Sequence, residues 1–449
     1  MLVSRNKIVF VLIIASVTAL FVSSALSQTP TPTPESTSRY LDRTNGMTAD
    51  RAVALALDNN GEILALRTEV EAAKALIRQA GLRANPTVTV GGAKQIGGPD
   101  NNQMAEIMLP LEIGGRRGAR IAVARAEMEL RELALANQER LLAADVRMKF
   151  GEAVAAIKKL ELIEKNLTAV RQSYDLVAAR VVEGQSAPLE QNMLLVEVNR
   201  LQSMRETAES KVETALFELR NMIGMKPDEP LRVSGSFDDL IATPPPLDKQ
   251  TNDALKQRPD LEGARAAERL AAARIEQAKS EGRIDLAVKG GYQRMNSGFP
   301  LSGFDDHGLL RPIQEVFKFF TFGVEVMLPV RNRNQGAIAA AAFDRQAALN
   351  RIEFGELTIR REVAIASARY NRSARALSIM RGGVRDQARR NLEVIWQMYE
   401  LGSRSLLDYI AEERRFLDVE SELVDAELET YTANIEVMRA VNSPELRKK

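Results

Sequence analysis

Few residues of this chain have the types and spacing that catalysis or metal binding requires. His307 is the only histidine, and it lies beside Asp305 and Asp306. A single histidine next to two adjacent acids on a loop lacks the fixed geometry of a metal site. The chain also has no cysteine, which removes thiolate ligands and disulfides. The sequence therefore predicts no metal site and no cofactor.

The motifs of hydrolases and nucleotide-binding proteins are missing as well. The stretch Gly114-Gly115-Arg116-Arg117-Gly118 superficially matches a phosphate-binding loop, but no Lys-Ser/Thr pair follows it. We interpret it as a bend between a strand and a helix. No His-Glu-x-x-His and no Gly-x-Ser-x-Gly sequence is present. We predict that the chain is not an enzyme and that any energy for its function comes from partners.

The composition favours packed helices over one bulky core. Aromatic residues make up 5% of the chain, and the apolar residues are mostly Ala, Leu and Val, which suit helix-on-helix packing. The formal net charge is +1 with 27% charged residues. This balance gives no reason to expect a nucleic-acid partner.

The amino terminus resembles a secretory signal. Arg5 and Lys7 precede an apolar run from Ile8 to about Val22, and Ala25-Leu26-Ser27 offers small residues for cleavage. We predict a signal peptide over 1–27 and a flexible segment over 28–47. An uncleaved anchor is the alternative, because the apolar run is nearly long enough to span a bilayer. No later run is apolar enough for a second helical span, so further membrane contact is expected through strands.

The rest of the chain is duplicated. Glu106-Ile107-Met108-Leu109-Pro110-Leu111 returns as Glu325-Val326-Met327-Leu328-Pro329-Val330. This repetition predicts one repeat over 48–224 and a second over 251–441. A proline-rich connector over 225–250 joins them, and a tail over 442–449 follows. The second repeat carries an insertion, roughly Gly298 to Val316, which we assign to a loop.

Each repeat is predicted to contain a helix, a strand pair and a long helical hairpin. The predicted helices are about 48–82, 116–182, 188–223, 251–281, 335–400 and 403–441. The predicted strands lie within 86–112 and near 284–293 and 317–330. The segment 335–401 is rich in arginine, whereas 403–440 is acidic. These two helices either attract each other or only present balanced solvated faces.

The strands alternate in a way typical of outer-membrane barrel strands. Phe320, Phe322 and Val324 alternate with Thr321, Gly323 and Glu325. A soluble sandwich with one face on a core is the alternative for a single strand. Four strands cannot close a barrel, so three copies with twelve strands are expected. The residues expected to face the lumen are Glu106, Met108, Glu325 and Met327, where the two glutamates serve either to solubilise the interior or to select ions.

The whole chain after the signal resembles the TolC family of outer-membrane efflux proteins. The resemblance rests on the doubled hairpin-plus-helix plan, the two Leu-Pro strand ends and the sequence Tyr399-Glu400-Leu401-Gly402-Ser403-Arg404-Ser405-Leu406-Leu407-Asp408. It implies a mainly α fold with a small β part, a TolC-like channel-tunnel whose protomers share a trimeric 12-strand barrel. The segments 109–120 and 333–336 resemble the CzcC-like heavy-metal branch of that family.

The resemblance also implies roles for residues at the helical tips. A periplasmic gate is expected at Tyr399, Arg404 and Asp408, with Glu190 as the first repeat's counterpart of Asp408. The alternative is that these side chains only cap the turn. Where the TolC pattern has a further aspartate, this chain has Ala411, which reduces the acidic ring. Docking of an adaptor is expected at the tip residues Gly184, Gln185, Ser186, Gly402, Ser403 and Arg404, which also have a purely geometric role in their turns.

The implied function is a passive export duct of a tripartite pump. Its implied partners are two further copies of the chain, a periplasmic adaptor, an inner-membrane RND-type transporter and outer-membrane lipid. Heavy-metal cations are the favoured cargo. Drugs or other organic compounds and type I secretion are alternatives, as is a coiled-coil adaptor or structural protein that forms no pore.

Overall fold

The computed structural model of the protein describes residues 39–42, 44–241 and 246–447. The predicted signal peptide lies outside these residues, as do the first part of the segment predicted to be flexible and the last two residues. Long helices and one four-stranded antiparallel sheet make up the described part. This confirms the prediction of a mainly α fold with a small β part. Among the described helices, none is long and apolar enough to cross a membrane.

The elements follow the duplicated order that the sequence predicts. The helices are α1 (Ala49–Asn59), α2 (Gly61–Ala80), α3 (Arg116–Val182), α4 (Pro188–Met222), α5 (Phe237–Leu240), α6 (Leu247–Gln257), α7 (Pro259–Glu281), α8 (Gln335–Ile379), α9 (Asp386–Glu400) and α10 (Leu406–Val441). The strands are β1 (Thr87–Lys94), β2 (Asn101–Pro110), β3 (Asp285–Phe304) and β4 (Leu310–Met327).

Helix α3 runs without interruption for 67 residues, which at 1.5 Å per residue is about 100 Å. It begins after Gly115, whose φ of 83° lies in the left-handed region that favours glycine. Arg116 donates a hydrogen bond to Asp285 at 2.8 Å, and Arg117 donates one to the Gly81 carbonyl at 2.6 Å. The glycine- and arginine-rich stretch therefore joins the sheet to the helices, as predicted.

The first helix predicted over 48–82 is in fact two helices. Asn60 ends α1, and its side-chain oxygen accepts hydrogen bonds from the backbone N–H groups of Glu62 and Ile63 at the start of α2. Its amide nitrogen donates to the Met222 carbonyl at 3.1 Å. The break is thus stabilised both by a cap and by a contact with α4.

The helix predicted over 251–281 is also broken. Pro259 starts α7 at its first position, where a missing N–H group costs nothing. Arg258, the residue before Pro259, is buried and forms ion pairs with Asp260 and Glu362, both at 2.6 Å. The first part, α6, begins four residues before the predicted start.

The helix predicted over 335–400 contains an irregular turn. Met380–Arg385 forms a π-helical segment that separates α8 from α9. Arginines before and within it pair with acids of α10. Arg369 contacts Glu429 and Glu436, and Arg385 contacts Glu420. Ion pairs therefore form between the arginine-rich helix and the acidic helix.

The sheet has the order β1-β2-β3-β4, so β1 and β4 are its edges. Strands β3 and β4 are about twice as long as β1 and β2. The assignment of the insertion Gly298–Val316 to a loop was wrong, because most of it extends this strand pair, with a register shift between Gly298 and Ser302. Only the turn at residues 305–309 connects the two strands.

The largest core lies where α1, α3, α4 and α10 meet. Tyr431 is 1% exposed, its hydroxyl donates to the Arg147 carbonyl at 3.0 Å, and its ring contacts Phe237. Two segments expected to be mobile are attached to this core. Leu41 and Met47 bridge to Val233 of the connector, and the C-terminal tail, expected to fray as chain ends commonly do, forms a short 3-10 helix over 444–447.

Candidate functional site

The two helical tips have the same backbone geometry. Gly184 and Gly402 both have a φ of 74°. At each tip the glycine N–H bonds a carbonyl three residues earlier, and the next N–H bonds the carbonyl five residues earlier. This pattern is a Schellman motif, which satisfies carbonyl groups at a helix end. The tip residues Gln185 and Ser403 supply the second N–H and are exposed, while Ser186 and Arg404 follow them in the turns.

Asp408 has a definite role at the second tip. Its carboxylate accepts hydrogen bonds from the backbone N–H and the hydroxyl of Ser405, at 3.1 and 2.9 Å. The Ser405 hydroxyl in turn accepts from the Asp408 N–H, which completes a capping box. The hydrogen bonds from Ser405 hold the pKa of Asp408 below its ordinary value.

Arg404 precedes this cap and is exposed. Its side chain forms no hydrogen bond or ion pair with the residues that the structure describes. Arg404 therefore forms no hydrogen bond or ion pair with Asp408 of its own chain. A carboxylate that already caps a helix keeps lone pairs free, so Asp408 can still accept a hydrogen bond from a neighbouring molecule.

Tyr399 belongs to an aromatic cluster with Trp396 and Tyr409. The ring centroids of Trp396 lie 5.9 Å from Tyr399 and 4.9 Å from Tyr409. Burial raises the pKa of Tyr399, and the nearby charge of Glu190 raises it further. The structure thus brings Glu190, on the first tip, near Tyr399 on the second. Trp396 and Tyr409 were not predicted as site residues, although Trp396 is the only tryptophan of the chain.

A buried charge cluster lies further from the tips, where α4 contacts α10. Glu197 is 1% exposed and accepts hydrogen bonds from Arg200 on its own helix and Arg414 on α10. Burial raises the pKa of Glu197, but the two guanidinium groups outweigh burial and lower it overall. Glu413 lies beside this cluster and is also buried. Burial, followed by the charge of Glu197, raises the pKa of Glu413 to about 7.

This cluster connects the helical hairpins of the two repeats. Around it, apolar side chains of three helices pack together, including Leu167 of α3, Leu194 of α4 and Ile410 of α10. The charges next to Ile410 were not predicted from the sequence. The visible signal was Glu413-Arg414 within an otherwise apolar stripe.

The π-helical segment is a second feature that was not predicted from the sequence. It contains Gly382 and Gly383, and a Cβ atom added at either would meet open space. Arg381 pairs with Glu427 of α10 and Asp238 of α5, at 2.6 and 2.7 Å. Such bulges inside long helices frequently occur at functional sites.

The sheet has two chemically different faces. The strand register places Glu106 opposite Gly291 and places Gly291 opposite Thr321, all on one face. By the same register the four residues expected to face the lumen share that face: Glu106, Met108, Glu325 and Met327. Lys289 forms an ion pair with Glu325. The other face is apolar and exposed, and includes Val88, Ile107, Val288, Tyr292, Phe320, Phe322, Val324 and Val326.

His307 lies in the turn between β3 and β4. Its backbone N–H donates to the Asp305 carboxylate at 3.0 Å, and Arg311 pairs with the same carboxylate at 2.8 Å. Asp305 therefore organises the turn. Among the described residues, no group of three or more His, Cys, Asp or Glu side chains is arranged to hold a metal ion.

Comparison with protein families gives one match that covers most of the chain. The sequence model of the family described as outer membrane efflux protein matches residues 52–225 and 251–443. The two matched segments correspond closely to the two repeats seen in the fold.

Two curated proteins are similar in sequence. The cobalt-zinc-cadmium resistance protein CzcC of Cupriavidus metallidurans is 22% identical over 392 residues, covering 86% of this chain and 88% of that protein. The nickel-cobalt-cadmium resistance protein NccC of Alcaligenes xylosoxydans xylosoxydans is 30% identical over 134 residues, covering 30% of this chain and 31% of that protein.

Solved structures share the fold. CusC, described as changing conformation on folding and transmembrane channel formation, has a TM-score of 0.71 at 20% identity, covering 88% of this chain and 91% of that one. The open state of the MtrE outer membrane channel of Neisseria gonorrhoeae has a TM-score of 0.69 at 17% identity, covering 89% and 90%. The fold is therefore that of TolC-like channels.

Proposed function

The chain belongs to the outer membrane efflux protein family, and on that premise we propose that three copies form a passive export channel for heavy-metal cations. The channel receives its cargo from a periplasmic adaptor and an inner-membrane RND-type transporter. The chain itself supplies no energy and conducts cations that the transporter has selected.

The observation that carries this proposal is the sheet. Its edges, β1 and β4, have no partner strand among the described elements, and one face is a continuous apolar surface. Open strand edges in lipid leave backbone groups unpaired, which costs several kcal/mol each. Three sheets joined edge to edge give twelve strands and satisfy every edge. The apolar face then contacts lipid, and the face with Glu106 and Glu325 lines the water-filled interior.

The long helices are the evidence for the tunnel below the barrel. The first tip and the second tip lie at the ends of α3 and α9, far from the sheet in sequence and joined to it by the long helices α3 and α8. Exposed glycine turns at these ends are accessible to an adaptor. The gate residues Tyr399, Arg404, Asp408 and Glu190 lie at or beside the same tips, where links between neighbouring copies would close the tunnel.

The cargo rests on the two curated relatives, whose names state resistance to cobalt, zinc, cadmium and nickel. A channel of this kind needs no metal ligands of its own, because selection takes place in the transporter. A net charge of +1 is compatible with conduction of cations, since the interior face carries Glu106 and Glu325.

The test combines a tolerance assay with two physical measurements. Deletion of the gene should lower tolerance to cobalt, zinc, cadmium and nickel and leave tolerance to a dye and a detergent nearly unchanged. Sensitivity confined to the organic compounds would contradict the metal cargo. The purified protein should have a trimeric mass in mild detergent and conduct ions in planar bilayers; a monomer without conductance would contradict the channel and favour a coiled-coil adaptor.

A further inference from the structure

Three cationic side chains lie on the apolar face of the sheet, at the end remote from the helices. Arg294 on β3 is directly opposite Lys318 on β4. Lys94 on β1 lies one row further along the same face, because it is opposite Asn101, which is opposite Asn296. Alternate residues of a strand point to the same face, so the three side chains share this face. We call them the cationic group, in which Lys94 is two strands away from Arg294.

This cationic group lacks acidic partners. Within the described part of the chain, none of its three side chains forms an ion pair or hydrogen bond. Like charges directly opposite on neighbouring strands destabilise a sheet. The other cations of these strands are paired, since Lys289 contacts Glu325 and Arg311 contacts Asp305. An unpaired Arg294–Lys318 pair is therefore a cost to the sheet unless an anion compensates it.

The cationic group lies immediately beyond the apolar surface. The row before it contains Tyr292 and Phe320, whose ring centroids are 5.5 Å apart. From Phe320 to Val326 the apolar residues of β4 cover roughly 20 Å along the strand at 3.4 Å per residue, which is about 15 Å of height at the usual strand tilt. Apolar bands of outer-membrane strands are flanked by aromatic residues. Arg294 and Lys318 directly follow the aromatic pair Tyr292–Phe320, which places them at the outer margin of the apolar surface, where headgroups begin.

We propose that Arg294 and Lys318, assisted by Lys94, bind the phosphate of a phosphorylated lipid headgroup in the outer leaflet. This inference rests on the proposed function, which turns the apolar face toward lipid and the strand ends remote from the helices toward the exterior. A guanidinium group binds two phosphate oxygens at once, and an ammonium group adds a point charge. Basic residues at a membrane surface attract anionic lipids in the same way.

The neighbouring side chains identify a lipid as the source of the phosphate. Phe320, in the row next to Lys318, and Phe322, in the row after that, are 83% and 92% exposed. A free phosphate ion would use the charges alone, whereas a phospholipid also places its acyl chains against these rings. Burial of such apolar area contributes about 25 cal/mol per Å². The site therefore favours a phosphate that is attached to hydrocarbon chains.

Native mass spectrometry of the whole protein in mild nonionic detergent tests the site. The probes are dioleoyl phosphatidic acid and dioleoyl phosphatidylcholine. The double variant R294Q/K318Q should bind phosphatidic acid at least tenfold more weakly than the parent, with phosphatidylcholine binding changed less than twofold. The control K289Q/R311Q removes two cations from the same strands, but both are paired with acids. It should bind phosphatidic acid within twofold of the parent.

Three results would overturn the proposal. One is an equal loss of phosphatidic acid binding in R294Q/K318Q and in the control. Binding would then depend only on the total charge of the strands and not on Arg294 and Lys318. Another is equally tight binding of phosphatidylcholine to the parent. A third is complete displacement of phosphatidic acid by 10 mM inorganic phosphate, which would identify a free-ion site. Conductance of the parent in planar bilayers tests the channel separately, so failure of the lipid site and failure of the proposed function are distinguishable.

Discussion

The carboxylate of Glu197 on α4 accepts two hydrogen bonds from the guanidinium of Arg414 on α10, with nitrogen–oxygen distances of 2.5 and 2.9 Å. The two helices belong to different repeats, so this pair joins the hairpin of the first repeat to that of the second. Because Glu197 is almost completely buried, its charge depends on the two arginines that surround it. Separation of the hairpins would expose this carboxylate to water and release Arg414.

Removal of Arg414 should destabilise the contact between the hairpins. In R414Q, Glu197 retains Arg200 but loses the two charged hydrogen bonds from Arg414. A hydrogen bond to a charged group contributes about 1.5–3 kcal/mol to stability. We expect a loss of about 2 kcal/mol in the free energy of unfolding, measured by denaturant titration in detergent.

The matched control for this measurement is R415Q, one residue further along α10. Arg415 is 71% exposed in its side chain and pairs with Glu412 on the same helix. Exposed pairs contribute at most about 1 kcal/mol. Equal losses in R414Q and R415Q would show that the Glu197–Arg414 pair does not hold the hairpins together.

Glu413 should make the stability of this region depend on pH. Its pKa is raised from 4.5 to about 7 in the folded chain, chiefly by burial. The folded state therefore holds a proton that the unfolded state has lost, and stability is greatest below pH 4.5 and falls as pH rises toward 7. Besides its own α10 neighbours, the charged groups facing it are Glu197 and Arg200 of α4.

The variant E413Q tests this dependence. At 1.36 kcal/mol per pKa unit, it should be more stable than the parent by up to about 3 kcal/mol near pH 8. Well below pH 4.5 the two should differ little, because Glu413 is then protonated in both states. The control D418N replaces an exposed acid on the same helix. A constant difference between E413Q and the parent at all pH values would rule out titration of Glu413.

The predictable parts of this fold are those that local chemistry determines. The ends of α3 follow from a left-handed glycine before it and a Schellman turn after it, and both are visible in the sequence. The break at Asn60 was not predictable, because it depends partly on the Met222 carbonyl, which is distant in sequence. The second break has a local signal, because Pro259 is favoured at the first position of a helix and is not favoured inside one.

The extended strands β3 and β4 illustrate a different limit. Gly298, Pro300 and Pro312 within the insertion favour a loop on local grounds. Pairing with the opposite strand overrides that preference, and a register shift between Gly298 and Ser302 accommodates the irregularity. The cluster around Glu197 was missed for a similar reason, since only the packing of α4 on α10 brings its charges together.

Two sets of glycines should respond oppositely to alanine. Gly382 and Gly383 in the π-helical segment have negative φ values and open space around them, so G382A/G383A should stabilise the protein by about 1 kcal/mol through a less flexible unfolded chain. Gly402 also has open space, but its φ is 74°. There G402A should cost about 1 kcal/mol because alanine disfavours left-handed backbone. Thermal unfolding measures both; stabilisation by G402A would show that the turn is not held in this conformation.

The proposed gate lies at the second helical tip. Tyr399 is partly buried beside Trp396 and Tyr409, whereas the Arg404 side chain has no partner within the described part of its own chain. An unpaired, exposed arginine next to Asp408 is available to a neighbouring copy, and three such charge-assisted links by symmetry would hold the tunnel closed.

The double variant Y399F/R404S should therefore raise single-channel conductance in planar bilayers while the unfolding temperature stays nearly unchanged. The control S405A removes the hydroxyl that caps α10, and loss of such a cap costs about 1 kcal/mol. S405A removes one of the two hydrogen bonds that Ser405 donates to Asp408 but leaves its carboxylate free to accept the link from a neighbouring copy. It should therefore lower stability and leave conductance near that of the parent. If conductance stayed unchanged in Y399F/R404S, these side chains would not form the gate, and Asp408 would serve only to cap its helix.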